Sequence, residues 1–119
     1  MSARAQALGR YGEDVAARFL TDLGYVVVDR NWRSAHGELD IVAMDQDTLV
    51  ICEVKTRVND RFGGPIAAII EEKLQRLRRL CVEWLSTHEC NVAGLRVDVV
   101  AIHRPRRGPA QIQHVVGVY

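Results

Sequence analysis

The 119-residue sequence predicts a single α/β domain, residues 1–119, with a mixed central sheet flanked by two helices in the order α-β-β-β-α-β-β. Three observations predict it. Two segments carry apolar residues at helical spacing. Five others are rich in β-branched and aromatic residues and are bounded by turn formers. The second helical segment lies between two apolar strands, as a crossover joining parallel neighbours does.

The first helix is expected from about Ala5 to Leu23, where Leu8, Tyr11, Val15, Phe19 and Leu23 recur on one stripe. Gly24 follows as a C-terminal stop. Within the helix Gly12 lets another segment approach closely. "YVVVDRNW" reads as a strand. "ELDIVAM" and "TLVICEVKT" follow, and the short "DQD" between them argues for an antiparallel hairpin. "NDRFGG" is a loop, and Pro65 suits the first turn of a helix running to Trp84 or Thr87. "LRVDVVAI" is a strand, "RPRRGP" a basic loop unfit for a sheet interior, and "QIQHVVGV" a last strand.

Composition narrows the class. Almost half of the residues are hydrophobic, enough for a core without staples. No run approaches the roughly 20 apolar residues of a membrane span. The N-terminal stretch carries Glu13 and Asp14 and lacks the apolar core of a secretory signal. Cys52, Cys81 and Cys90 are widely spaced and odd in number, which suits reduced thiols in a cytoplasmic protein. Residues 1–60 hold seven Lys/Arg and ten Asp/Glu, a net of −3, and residues 61–119 hold nine and five, a net of +4. The basic half is compatible with a polyanionic partner and equally with a solvated face.

The hairpin poses the chemical question. Alternation puts Glu53 and Lys55 on one face of the second strand, and Glu38 and Asp40 on one face of the first. Closing the turn with Gln46 and Asp47 sets Val42 opposite Ile51, Asp40 opposite Glu53 and Glu38 opposite Lys55. Opposed carboxylates repel unless a hard divalent cation such as Mg²⁺ lies between them. Metal-assisted phosphodiester hydrolysis uses such a set. Geometry alone is also met by a surface ion pair on the wet face of an antiparallel sheet.

The acid on one strand, Asp40, followed on the next by Glu53-Val54-Lys55, resembles the PD-(D/E)xK nuclease superfamily. "GRYGEDVAARFL", "GYVVVDRNWR", "GELDIVA", "EVKTR" followed by "FG", the Lys73 helix and "RVDVVAI" are similar, in that order, to the YraN family of small bacterial proteins. The resemblance implies a restriction-endonuclease-like fold and a Mg- or Mn-dependent endonuclease acting on nucleic acid, most simply branched or non-B DNA. It implies Asp40, Glu53 and the Val54 carbonyl as metal ligands, Lys55 as catalytic lysine and Glu13 as a further acid near the metal. Lys73 and Gln75 match in type, whereas Glu71 and Glu72 stand where members often show Thr-Pro. Such enzymes often pair so that two sites face two strands, so a homodimer is also expected. A catalytically silent nucleic-acid-binding accessory is the other reading.

Arg57, Arg76 and Arg79, with Lys73 and Gln75, are the candidate phosphate contacts, and a solubilising role is the plain alternative. Asp98 is expected to be a buried partner for an arginine such as Arg96, and Trp32 and Trp84 to be core. The four histidines lack zinc-ligand spacing.

Overall fold

Ser2 starts the first helix. Its hydroxyl accepts from the Ala5 N–H at 3.1 Å, satisfying one of the donors a helix start leaves free. The computed structural model describes residues 2–58 and 71–119. Helix α1 spans Ala3–Asp22 and is followed, past its C-cap Leu23, by Gly24, whose φ of 98° is left-handed. The strands are β1 Val26–Ser34, β2 Gly37–Asp45, β3 Thr48–Arg57, β4 Gly94–His103 and β5 Gln111–Val115, and helix α2 covers Glu71–Thr87. The predicted order is therefore observed. The expected start of the second helix at Pro65 and the "NDRFGG" loop lie outside the described residues.

Spatial order in the sheet follows chain order, β1-β2-β3-β4-β5. All neighbours are antiparallel except β3 and β4, which run parallel, as the crossover through α2 requires. Alternation on β3 assigns the two faces. Leu49 and Ile51 pack with Leu77, Leu80, Cys81 and Trp84 of α2. Val50 and Cys52 pack with Ala16 and Leu20 of α1. The helices thus cover opposite faces, and β3, at the sheet centre, is apolar on both. Among the described residues all three cysteines are free, and no helix is long and apolar enough to cross a membrane.

Gly12 explains how closely α1 seats. A Cβ built there would lie 1.7 Å from Thr56 Oγ1 and 2.9 Å from Thr56 Cβ, so only glycine permits the helix this near to β3.

The α1 face also holds a fully buried carboxylate, Asp98. Arg96 reaches it with Nε at 2.9 Å and Nη2 at 3.1 Å. His114 Nε2 lies 2.8 Å from it, and the Gly117 N–H donates at 2.9 Å. Arg96 also donates to Asp45 at 3.0 Å and to the Tyr25 hydroxyl at 2.6 Å. Burial disfavours the Asp98 charge, but these donors outweigh it and hold the carboxyl below its ordinary value. The network also explains why β5 stops at Val115, short of the predicted "QIQHVVGV". The Gly117 N–H goes to Asp98, and the Val118 N–H goes to the Val97 carbonyl at 2.8 Å.

Candidate functional site

The β2–β3 hairpin closes through Gln46 and Asp47, with Gln46 at φ 56°, and pairs Asp45 with Thr48 and Val42 with Ile51. The expected register therefore holds from the turn to Ile41–Cys52, where the ladder ends. The next position is Asp40 beside Glu53. There Asp40 Oδ2 accepts from the Val54 N–H at 2.9 Å, so a side chain takes the donor that a β2 carbonyl would otherwise receive. The side-chain alternation slips at the same point. Leu39 packs under α2, while Ile41, two residues on, packs under α1. Asp40 thus stands in the gap where the two strands part. The expected pairing of Glu38 with Lys55 does not form. Glu38 lies opposite Arg33 on β1 and meets its Nε at 3.2 Å, because the ladder that would have brought Lys55 across has already ended.

Glu53 is only 7% exposed, on the α2 face of β3. Its Oε1 lies 2.7 Å from Lys73 Nζ and 3.3 Å from Lys55 Nζ. Lys55 shares the strand face with Glu53, two residues on, whereas Lys73 reaches down from α2. Glu13 arrives from α1. Among the described residues its Oε1 is buried without a hydrogen-bond partner, and the nearest cation there, Arg30, stands 3.9 Å away and binds Asp14 at 2.7 Å instead. Asn31, on β1 beside Glu13, has a left-handed φ of 54°.

The electrostatics follow from this crowding. Burial, and then the charge of Glu53, push the Asp40 carboxyl up to about 7, against the Val54 N–H; Glu13 and Glu38 push the same way. Burial also raises Glu13, against Arg30 and Asn31. Burial and the neighbouring Lys73 hold Lys55 below its ordinary value. Burial works against the Lys73 charge as well, but the Glu53 carboxylate outweighs it and raises that lysine.

Asp40, Glu53, Val54, Lys55 and Lys73 are therefore brought together, with Glu13 near enough to act on Asp40. Among the described residues no three acidic, histidine or cysteine side chains converge tightly enough to hold an ion as they stand. The donor types nevertheless suit a hard divalent cation, and the orphaned Glu13 oxygen and the elevated Asp40 are the groups an added cation would satisfy.

The basic candidates lie on β3 and α2. Arg57 ends β3, where its carbonyl accepts from the Arg104 N–H at 2.8 Å. Gln75, Arg76 and Arg79 are exposed on α2. A groove of about 650 Å³ runs beside that helix, lined by Gln75, Arg78 and Arg79 together with His36 and Tyr119. Arg79 Nη2 lies 2.9 Å from His36 Nε2, and Arg78 donates to the Tyr119 hydroxyl at 2.6 Å. The part played by Asn31, His36 and Tyr119 was not foreseen, since only the folded chain brings these positions beside α1 and α2. The grip of Lys73 on Glu53 had a faint signal, a lysine on the helix stripe facing the sheet, but periodicity does not name its partner.

Residues 12–102 match the family model described as "Uncharacterised protein family UPF0102". A UPF0102 protein of Kineococcus radiotolerans is 54% identical over 113 residues, covering 94% of this chain and 93% of its own. One from Streptomyces griseus is 51% identical over 119 residues, covering 99% of each. One from Beutenbergia cavernae is 51% identical over 112 residues, covering 94% of this chain and 95% of its own. The span matched runs from the Gly12 contact through both hairpin acids and Lys73 to the end of the β4 core, and the chain belongs to the UPF0102 family.

Proposed function

We propose that this chain is a divalent-metal-dependent endonuclease of the restriction-endonuclease-like kind, within the YraN and PD-(D/E)xK resemblance, hydrolysing phosphodiester bonds in branched or non-B DNA. The observation that carries the reading is the concentration of Asp40, Glu53 and Glu13 at the opening of the β2–β3 hairpin, with Lys55 beside Glu53. Buried carboxylates set against one another cost stability, and function is the ordinary reason for keeping them.

In this reading Asp40, Glu53, Glu13 and the Val54 carbonyl hold Mg²⁺ or Mn²⁺. When bound, the ion withdraws charge from the phosphate and makes a bound water more acidic. The chain's own groups do the rest. Lys55, its proton loosened by burial and by Lys73, takes up or relays a proton at Nζ beside the attacking water. Arg57, Arg76, Arg79 and Gln75 contact backbone phosphates, which gives salt-dependent and largely sequence-independent affinity. A cytoplasmic location and a homodimer that sets two sites against two strands belong to the same proposal.

The test is incubation with Mn²⁺ or Mg²⁺ and a panel of linear, flapped and four-way-junction DNAs, alongside Glu53→Gln and Lys55→Met. Cleavage of at least one substrate, reduced about 10²-fold or more in Lys55→Met, is expected. The second reading, a silent nucleic-acid-binding accessory, is favoured by one observation, the occupation of Glu53 by two ammonium groups. DNA binding without cleavage by any of the three proteins would establish it instead.

A further inference from the structure

Two ammonium groups meet one oxygen of Glu53, while among the described residues no ammonium reaches the acids on either side. Among the described residues Asp40 accepts from the Val54 backbone N–H, and Glu13 Oε1 has no hydrogen-bond partner. The nearer ammonium, at 2.7 Å, is Lys73. A divalent cation bound to that oxygen at roughly 2.1 Å competes with the ammonium groups for its lone pairs, and the cations repel. The competition favours release of one of them.

The fold says which. Lys55 is two residues from Glu53 on the same face of a strand paired on its parallel side, Lys55 with Ala101, so its backbone is held beside Glu53. Lys73 comes from the helical layer over that face, and Gln75, two residues on, lines the groove beside α2. The four-carbon stem of Lys73 swings without moving the backbone, and its compact head accepts any strong oxygen acceptor. A substrate phosphate offers such oxygens.

We infer that Lys73 is an exchangeable counter-ion: it occupies Glu53 when the site is empty of cation, and moves to a substrate phosphate when a divalent cation takes that carboxylate. The inference rests on the metal-site reading above and gives Lys73 a positioning role within it. The consequence is coupling. A phosphate that draws Lys73 away frees a ligand for the cation, and a bound cation frees Lys73 for the phosphate. By linkage each raises the affinity of the other by one and the same factor.

Calorimetric titration of the full chain with Mn²⁺, without DNA, tests this in wild type, Lys73→Met, Lys73→Gln, Lys73→Arg, Arg76→Met and Glu53→Gln. Lys73→Met is expected to bind Mn²⁺ about tenfold more tightly than wild type. Lys73→Gln reports the same effect if the Met variant fails to fold. Lys73→Arg, which keeps a cation on Glu53, is expected to stay near wild type, and Arg76→Met to show a much smaller gain. Unchanged or weaker Mn²⁺ binding in both neutral variants would overturn the inference. An equal gain in Arg76→Met would do so too, since general charge removal would then account for the effect. If wild type and Glu53→Gln bind Mn²⁺ equally, the metal site itself is wrong and the inference goes with it. Loss in Glu53→Gln with no gain at Lys73 removes the inference alone.

Discussion

Asp40 and Asp98 are carboxylates on the same sheet, and their surroundings drive them in opposite directions. Asp98 has a two-pronged arginine, a histidine and a backbone N–H, and its carboxyl is held below the ordinary 3.8 although it is fully buried. Asp40 has one backbone N–H and the charges of Glu53, Glu13 and Glu38 around it, and is pushed up to about 7. The first environment was completed by the chain itself. The second, among the described residues, is left short of positive charge. Completion marks a structural carboxylate and deficit marks a candidate site, and burial alone does not distinguish them.

The largest effect expected from breaking this contrast is at Asp98. Asp98→Ala strands Arg96 and His114 and should cost about 4 kcal/mol at pH 7, read by urea unfolding. Because the folded-state value is depressed, the Asp98 contribution is present above about pH 4 and is lost as pH falls through the folded value. The gap between wild type and variant should therefore shrink on acidification; a gap constant to pH 2 would refute the account.

Asp40→Asn should act with the opposite sign. A carboxyl raised from 3.8 to about 7 destabilises the metal-free fold progressively between those values, and fully above them. The variant, which retains an acceptor for the Val54 N–H, should be more stable than wild type at pH 8 by up to about 4 kcal/mol, and equal to it below pH 4. Loss of stability at pH 8 would place Asp40 with the structural carboxylates.

Gly12→Ala probes the approach of the helix that brings Glu13. Helix propensity favours alanine, yet the clash with Thr56 should leave a net loss of about 1 to 2 kcal/mol in thermal melts. Adding Thr56→Ala should restore part of it, and absence of any rescue would mean that Thr56 is not the obstacle. The smallest effect is at His114. His114→Gln keeps a donor for Asp98 and should cost about 1 kcal/mol. A cost as large as that of Asp98→Ala would show that the imidazole, and not Arg96, completes that environment.

Much of this contrast was legible in the sequence. Helical spacing, β-branched runs and the two-residue turn required only local chemistry, and they give the element order and the Val42–Ile51 register. Asp98 could be matched with Arg96, since residues two apart on a strand share a face. What stayed hidden depends on tertiary events. The ladder stops at Ile41 because the Asp40 side chain captures the Val54 N–H, which no alternation rule foresees. Glu38 goes to Arg33 because a bulge between Val27 and Asp29 resets the β1 register. Lys73 meets Glu53 only once the crossover helix has packed.

The irregular course of β1 has a bearing on self-association. With spatial order equal to chain order, β1 is a sheet edge, where unpaired backbone groups invite another strand. Val26 and Val28 are exposed on it, which heightens the invitation. The bulge and the left-handed Asn31 cut the edge into short pieces, and Arg30 and Arg33 add charge along it. A second copy could not lie along such a strand without reproducing its kinks. The distortion that sets Arg30 and Asn31 beside Glu13 thus doubles as protection against edge-to-edge aggregation.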